Sequence, residues 1–309
     1  MKRIIVVAGG TGDLGGRIVR ALLERGADVR VLVRPSSDRA KIAKLEKAGV
    51  QIITINNWTV ADVTNACRGG SCVVSALSGL RETIIDTQKV LLDAAIAAGV
   101  PRFIPSDYSI DFTKLPAGRN RNLDLRREFH TYLDTRPIAA TTIFNGPFAD
   151  MITGQMPIIL FNLNRVLVWG SPDQRIDFTT MDDTAAFTAS TALDESTPRF
   201  LRIAGDEKSI RELSLVVSKV TGKTFGLLRA GGLGVLSMLI KVAQFVAPGK
   251  DELYPAWQGM QYMRDMLAGR AKAVALDNDR YPNMRWHSLQ DVLSDFLKKE
   301  PAAPVQTGN

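Results

Sequence analysis

The sequence predicts an α/β chain: a doubly wound parallel sheet followed by a smaller, mostly helical C-terminal lobe. Three observations predict it. A glycine-rich turn near the start joins an apolar run to a segment of helical period. Short β-branched runs then alternate with helical stretches as far as Gly146. Beyond Gly146 that rhythm loosens and longer apolar segments take over.

The turn is Gly9-Gly10-Thr11-Gly12-Asp13-Leu14-Gly15. Residues 2–7 before it are basic and then apolar, the pattern of a buried parallel strand. Leu14, Ile18, Val19, Leu22 and Leu23 after it recur at helical spacing. Gly10, Gly12 and Gly15 fit G-x-G-x-x-G, and Gly9, Gly12 and Gly15 fit the related G-x-x-G-x-x-G. Between a strand and a helix, that pattern reads as a dinucleotide site of the Rossmann type. The glycines give a tight turn, bare backbone for a pyrophosphate, and close packing of helix on strand. The first N–H groups of the helix then face the phosphates, whose charge the helix dipole favours. Thr11, Asp13 and Leu14 complete the expected phosphate loop.

The next elements follow in order. Strands are expected at 28–33, 50–55 and 72–75, with helices at 39–47 and 61–67 between them. Ile84, Ile85, Gln88, Leu91, Leu92, Ala95 and Ile96 mark an amphipathic helix that closes near Gly99. Phe103 and Ile104 sit in a fifth strand that stops at Pro105, a helix spans 122–133, and a sixth strand spans 139–144. Right-handed crossovers through these helices give a parallel sheet covered on both faces.

In the second half, strands are expected at 166–169 and 199–203, and helices at 182–193, 209–221, 233–246, 252–267 and 288–298. Ser209 with Glu212 three places on forms a capping box. Residues 1–150 read as the cofactor-binding domain, with parts of 165–205 returning to it. Residues 151–300 read as a smaller substrate or partner lobe, and 301–309 as a disordered tail.

The bulk numbers narrow the class. The chain has 309 residues, 45% apolar and 23% charged, enough for one large core and a lobe. The net charge of +7 suits a phosphorylated cofactor. Its lysines and arginines are scattered, so nucleic acid is not expected as a partner. Arg119, Arg121, Arg126 and Arg127 are the densest basic set, read equally as a solvated helix face or a phosphate or substrate contact. Cys67 and Cys72 fit no metal or redox spacing and no disulfide framework, which points to a reducing compartment. The start runs directly into a strand, with no signal peptide expected, and the most apolar stretch, 233–246, is too short to span a membrane. A cytoplasmic protein is the expectation.

The cofactor is legible at the second strand. NAD sites place an acidic residue after it, for the ribose hydroxyl. Here Arg34 follows Val33, with Ser37 close behind, a pair suited to a 2′-phosphate. NADP(H) is therefore expected over NAD(H). The carboxyl ends of the remaining strands should supply Ser75, Ala76 and Leu77, then Ser106, then Asn145, Pro147 and Phe148.

Residues 7–15, 31–34 and Phe103-Ile104-Pro105-Ser106-Asp107-Tyr108 resemble the NmrA-like and isoflavone reductase-like branch of the atypical short-chain dehydrogenases. So do Leu125-Arg126-Arg127 and Ile143-Phe144-Asn145-Gly146-Pro147-Phe148, and the resemblance covers most of residues 1–190. It implies NADPH on a Rossmann domain and substrate under a smaller lobe. The plant members reduce isoflavones, benzylic ethers and lignans; NmrA itself is a nicotinamide-nucleotide-binding regulator. Two departures stand out. The family's Pro-Ser-Glu-Phe-Gly is Pro105-Ser106-Asp107-Tyr108-Ser109 here, and the reductases' lysine four places before the Arg-Arg pair is Asn122. No tyrosine is followed four places on by lysine.

Reduction needs a donor at the developing oxyanion. The candidates are Asn122, which donates a hydrogen bond but no proton, Tyr108, and Lys114 if its loop folds over the site. Core packing is the better reading of Tyr108, and turn capping that of Asp107. His130 is expected exposed on its helix, and neither it nor His287 receives a catalytic or metal role; Asp182 and Asp183 read as a helix N-terminus. The helix at 233–246 is apolar nearly all round and is expected buried, as core by default, or as a pocket roof or dimer seam. With Trp257, Met260, Tyr262, Met263 and Met266 beyond it, a cleft lined by both helices suits an apolar or aromatic substrate. The functional reading is an NADPH-dependent reductase of a small aromatic or quinone-like molecule. The alternative is a non-catalytic NAD(P)-binding sensor that acts through a protein partner.

Overall fold

The structure is a computed structural model and describes residues 3–154 and 156–299. The expected tail at 301–309 lies outside the described residues, as does residue 2 of the first strand.

The first half is a six-stranded parallel sheet with the order β3-β2-β1-β4-β5-β6. Its strands are β1 (Ile4–Ala8), β2 (Asp28–Val33), β3 (Gln51–Thr54), β4 (Cys72–Ser75), β5 (Arg102–Ile104) and β6 (Ala139–Ala140). The strand order reverses between β1 and β4, which opens a crevice at their carboxyl ends. Helices α1 (Asp13–Glu24), α2 (Arg39–Lys47), α3 (Val60–Cys67), α4 (Gln88–Ala97) and α5 (Arg121–Leu133) connect them. Val6, Ala8, Val73 and Phe103 face one buried layer while Ile5, Val7, Val74 and Ile104 face the other, so both sides of the sheet are covered.

Two details differ from the expected elements. The helix before Gly99 begins with a wide turn over Glu82–Thr87, where hydrogen bonds reach five residues back, before α4 takes over. The expected strand at 139–144 divides at Thr141 into β6 and β7 (Thr142–Phe144). The Thr141 N–H still bonds the Phe103 carbonyl, but β7 takes a new parallel partner, β11 (Phe200–Arg202).

The second half adds β8 (Ile159–Leu160), β9 (Arg165–Trp169), β10 (Arg175–Phe178), α6 (Met181–Leu193), β12 (Asp206–Ser209), α7 (Ile210–Thr221), β13 (Gly226–Gly231), α8 (Leu233–Val246), α9 (Ala256–Leu267) and α10 (Leu289–Lys299). Helix α6 and strand β11 pack on the first-half sheet, and Phe187 and Leu201 enter its core. The lobe has its own core, and besides its helices it carries the β13-β9-β8 sheet and the β10-β12 pair. Strand β9 falls where the strand at 166–169 is expected, while β8, β10, β12 and β13 alternate too weakly for periodicity to reveal them. The Ser209–Glu212 capping box forms as expected.

Helix α8 corrects an expectation. Only Leu236 and Ile240 are fully buried, with Leu233 half-buried against the same core. Met238, Val242, Phe245 and Val246 are exposed, Phe245 at 89%. The helix rests on α9 and β13, and none of the described residues covers its outer face.

Candidate cofactor and active site

The glycine loop sits at the crevice. Gly9 takes φ +84°, and a Cβ there would lie 2.5 Å from the Ala76 carbonyl oxygen. The turn after β1 can thus touch the turn after β4 only as glycine. A Cβ on Gly15 would lie 2.1 Å from the Gly9 carbonyl oxygen, so α1 packs on its own loop through bare backbone. Gly12 is the N-cap of α1, with no side chain over the helix end. The first helical hydrogen bond runs from Gly16 N–H to Gly12 C=O, so the N–H groups of Asp13, Leu14 and Gly15 have no partner of their own within the helix. Asp13 is exposed, and its carboxylate is held by Arg17 at 2.8 Å, with Arg17 bound in turn to Asp182 at 2.7 Å. The acid at the helix start is thereby neutralised.

Arg34 leaves β2 as expected. Its N–H donates to Ser37 Oγ at 3.0 Å, and its guanidinium stands 5.8 Å from the centre of the Trp58 ring. No carboxylate among the described residues lies within ion-pair distance of it. Asp38, the nearest acid in sequence, instead caps α2 by accepting from Ala40 N and Lys41 N. Beyond Trp58 a cleft of about 360 Å³ opens past the end of β3, lined by Asn56, Asn57 and Asn65 among others.

The other strand ends converge. Ser106 Oγ donates to the Leu77 carbonyl at 2.6 Å, tying the turn after β5 to the turn after β4. Gln88, fully buried after the wide turn, accepts from Ser106 N at 2.8 Å and donates to Ile84 O. Only the fold brings Gln88 here; the sequence reading takes it as an ordinary face of a helix. Ser75 Oγ and Asn145 Oδ1 are buried polar atoms with no hydrogen-bond partner among the described residues. Gly146 at φ +66° lets the chain before Pro147 and Phe148, both half-buried, pass against the Asp177 backbone. Bare N–H groups, an uncompensated arginine and orphaned polar atoms at the carboxyl edge fit a dinucleotide with an extra phosphate.

The three catalytic candidates are not brought to one point. Tyr108 turns into the core under the sheet, its hydroxyl buried and its pKa pushed up by burial. Lys114 donates to the Lys272 carbonyl at 3.0 Å and lies near Asp111, on the lobe side. Asn122 is buried at the start of α5; its Nδ2 donates to Leu253 O at 3.0 Å and its Oδ1 accepts from Arg121. Of the α9 side chains, Trp257, Met263 and Met266 are core, while Met260 and Tyr262 are half-buried.

The basic set is not a solvated face. Arg119 pairs with buried Asp265, Arg121 binds the Glu252 and Leu253 carbonyls, and Arg127 donates to Phe112 O. Arg126 donates to Ser106 O at 3.1 Å and to Asn122 O at 2.9 Å, so it spans from the β5 end to the start of α5. Asn120, Gln258, Gln261 and Asp265 complete a buried polar seam that clamps α9 onto α5. The seam leaves no local signal, because its partners lie 138 to 145 residues apart.

His130 is likewise buried rather than exposed. Its Nε2 lies 2.6 Å from Asp107 Oδ2, which also accepts from Thr142 Oγ1 at 2.7 Å. Burial pushes the Asp107 carboxyl up, but His130 and Thr142 outweigh it and hold the carboxyl below its ordinary value. A depressed carboxyl contributes stability above its unfolded pKa of about 3.9, and that contribution is lost as pH falls through the folded value. Asp107→Ala is expected to cost about 3 kcal/mol in denaturant unfolding at neutral pH, the low end for a broken buried pair. The difference from the wild type should shrink in strong acid. His287 pairs with Asp183 at 2.7 Å, which anchors the lobe's last segment to the N-terminus of α6. Among the described residues no group of His, Cys, Asp or Glu is arranged to hold a metal.

Comparison with known proteins places this geometry. Pinoresinol reductase 1 of Arabidopsis thaliana is 28% identical over 96% of this chain and 98% of its own length. The isoflavone reductase homolog IRL of Zea mays is 29% identical over 72% of this chain and 76% of its own. The structure of AtPrR2 with NADP+ and (+)pinoresinol superimposes with a TM-score of 0.78 at 24% identity, covering 96% of this chain and 99% of that one. The leucoanthocyanidin reductase–NADPH complex from Vitis vinifera gives 0.78 at 18%, over 96% and 100%. The NmrA-like family profile matches residues 1–245, and the chain belongs to the NmrA-like family.

Proposed function

We propose that the chain is an NADP(H)-dependent reductase of a small aromatic or quinone-like substrate. The observation that carries the reading is the pairing of an open, glycine-built helix N-terminus with an Arg34 that has no carboxylate within ion-pair distance among the described residues. Residues 13–15 would hold the pyrophosphate, Arg34 and Ser37 the 2′-phosphate, and the cleft by Asn56 and Asn57 the adenine. Ser75, Ala76, Leu77, Ser106, Asn145, Pro147 and Phe148 would frame the nicotinamide half, and Gly9 and Thr11 the loop between. The bound cofactor supplies hydride; the protein supplies orientation and electrostatics. Relatives named for reduction of pinoresinol and leucoanthocyanidin support an aromatic substrate. Residues 1–150 with α6 and β11 form the cofactor domain in this reading, and the rest of 151–300 the substrate lobe. Two buried free thiols suit a cytoplasmic setting, and no helix among the described residues is long and apolar enough to cross a membrane.

A panel of quinones, aromatic aldehydes and benzylic ethers, followed by NADPH oxidation, tests this. Turnover of at least one class is expected, with NADPH favoured over NADH. Tight cofactor binding with silence across the panel would instead favour a sensor, in which Asn122 simply locks α5 to the 250s loop.

A further inference from the structure

Helix α8 carries its apolar side chains on the side turned away from the core. At about 100° per residue, Val235, Met238, Leu239, Val242, Phe245 and Val246 fall on its outward half. All six are exposed, from 37% at Leu239 to 89% at Phe245. The inward half is the more polar one: half-buried Ser237 and Gln244 lie there beside Leu233, Leu236 and Ile240. Val235, Met238, Val242 and Phe245 follow one another at spacings of three, four and three, with Leu239 and Val246 alongside. That is the seam of a helix that packs lengthwise on another helix. The six side chains leave roughly 600 Å² of apolar surface open, the upper end of what monomers expose. A standard interface covers about 800 Å² of each partner, so this face supplies most of one.

From this face we propose that α8 is the seam of a homodimer, packed antiparallel on α8 of a second copy. The face is complementary to itself. Gly234 and Phe245 lie about three turns apart on the same side of the helix. A two-fold axis across the middle of α8, beside Leu239, lays Phe245 of each copy over Gly234 of the other. Phe245 is the most exposed side chain of the face, and a Cβ on Gly234 would meet nothing within 4 Å. The ring therefore enters an open notch against bare helix backbone. Two such contacts flank Met238 and Val242 of both copies, which close the middle. Other occupants fit less well. Lys241 is the only charged residue of α8, and exposed Asp251 and Glu252 follow the helix. The face thus lacks the cluster of cations that draws a helix onto anionic lipid. Residues 300–309 hold one large apolar side chain, Val305, too little to cover six. The seam involves neither the glycine loop nor Arg34, so it serves a reductase and a sensor alike.

Sedimentation velocity of the full chain across micromolar concentrations tests this, with Phe245→Asp and Gly234→Phe beside the wild type. Both substitutions fall in open space, so both variants should keep the wild-type circular dichroism. The wild type is expected to sediment as a dimer. Each variant should lower dimer affinity roughly 30-fold or more, the effect of losing a buried aromatic anchor or its pocket. Leu215→Asp, which removes an exposed apolar side chain from α7 instead, should leave the dimer intact. A wild type that is monomeric at every concentration would overturn the proposal. So would a dimer that survives Phe245→Asp or dissociates in Leu215→Asp. Dissociation by Phe245→Asp but not by Gly234→Phe would overturn the antiparallel register. Flotation with phosphatidylcholine–phosphatidylglycerol vesicles closes the test. No binding is expected; vesicle binding by the wild type that Phe245→Asp abolishes would assign the face to a membrane and overturn the dimer.

Discussion

Gly15→Ala is expected to abolish measurable NADPH binding and to lower the melting temperature. The added carbon would sit 2.1 Å from the Gly9 carbonyl oxygen, 2.8 Å from its carbonyl carbon and 3.0 Å from Gly10 Cα. All three are backbone atoms, so no side chain can swing aside. Helix α1 must lift away from the loop, and its first N–H groups lose their aim at the phosphates. Overpacking of this kind costs about 1–3 kcal/mol of stability. The neighbouring Gly16 provides the control. A Cβ there meets the Gly10 carbonyl oxygen at 3.5 Å, an ordinary contact. Gly16→Ala should therefore keep cofactor affinity and gain up to about 1 kcal/mol from helix propensity. Thermal melts with and without NADPH check both. Equal behaviour of the two variants would contradict the account of the loop.

Arg34→Asp should reverse cofactor preference. Among the described residues no carboxylate pairs with the wild-type guanidinium, and its place beside Trp58 holds it at the end of β2. A 2′-phosphate would supply two charge-assisted hydrogen bonds. Replacement by an acid removes those and adds repulsion, while offering acceptors to a ribose diol. NADPH affinity should fall roughly 100-fold, and NADH affinity should hold or rise. Fluorescence titration with each nucleotide measures this. An unchanged ratio would remove Arg34 from the phosphate site.

How far the sequence alone reaches depends on distance along the chain. Strands β2 and β4 and helix α2 begin and end where their patterns say, because glycine, proline and capping residues punctuate them locally. Gly9, Gly12, Gly15 and Arg34 are legible for the same reason: the loop and the strand end are each local. What is hidden is what the fold brings together. Gln88 reaches Ser106 across a wide turn that no propensity signals. Asp107 finds His130 only because β5 and α5 pack side by side. Gln258 and Gln261 meet Asn120 and Arg121 only through a polar seam between α5 and α9. Helix α8 shows the opposite error. Its composition demands burial, yet most of its apolar face is open, and an apolar stripe states a need for cover without naming the cover.

The central claim is that bare main-chain N–H groups at the start of α1, with Arg34 beside them, hold a phosphorylated nicotinamide dinucleotide. Calorimetric titration of the purified chain with NADPH and NADH tests it most directly. The account predicts one site per chain, with NADPH bound at least 10-fold more tightly than NADH. Absence of heat with either nucleotide, reduced or oxidised, on protein shown to be folded, would contradict it.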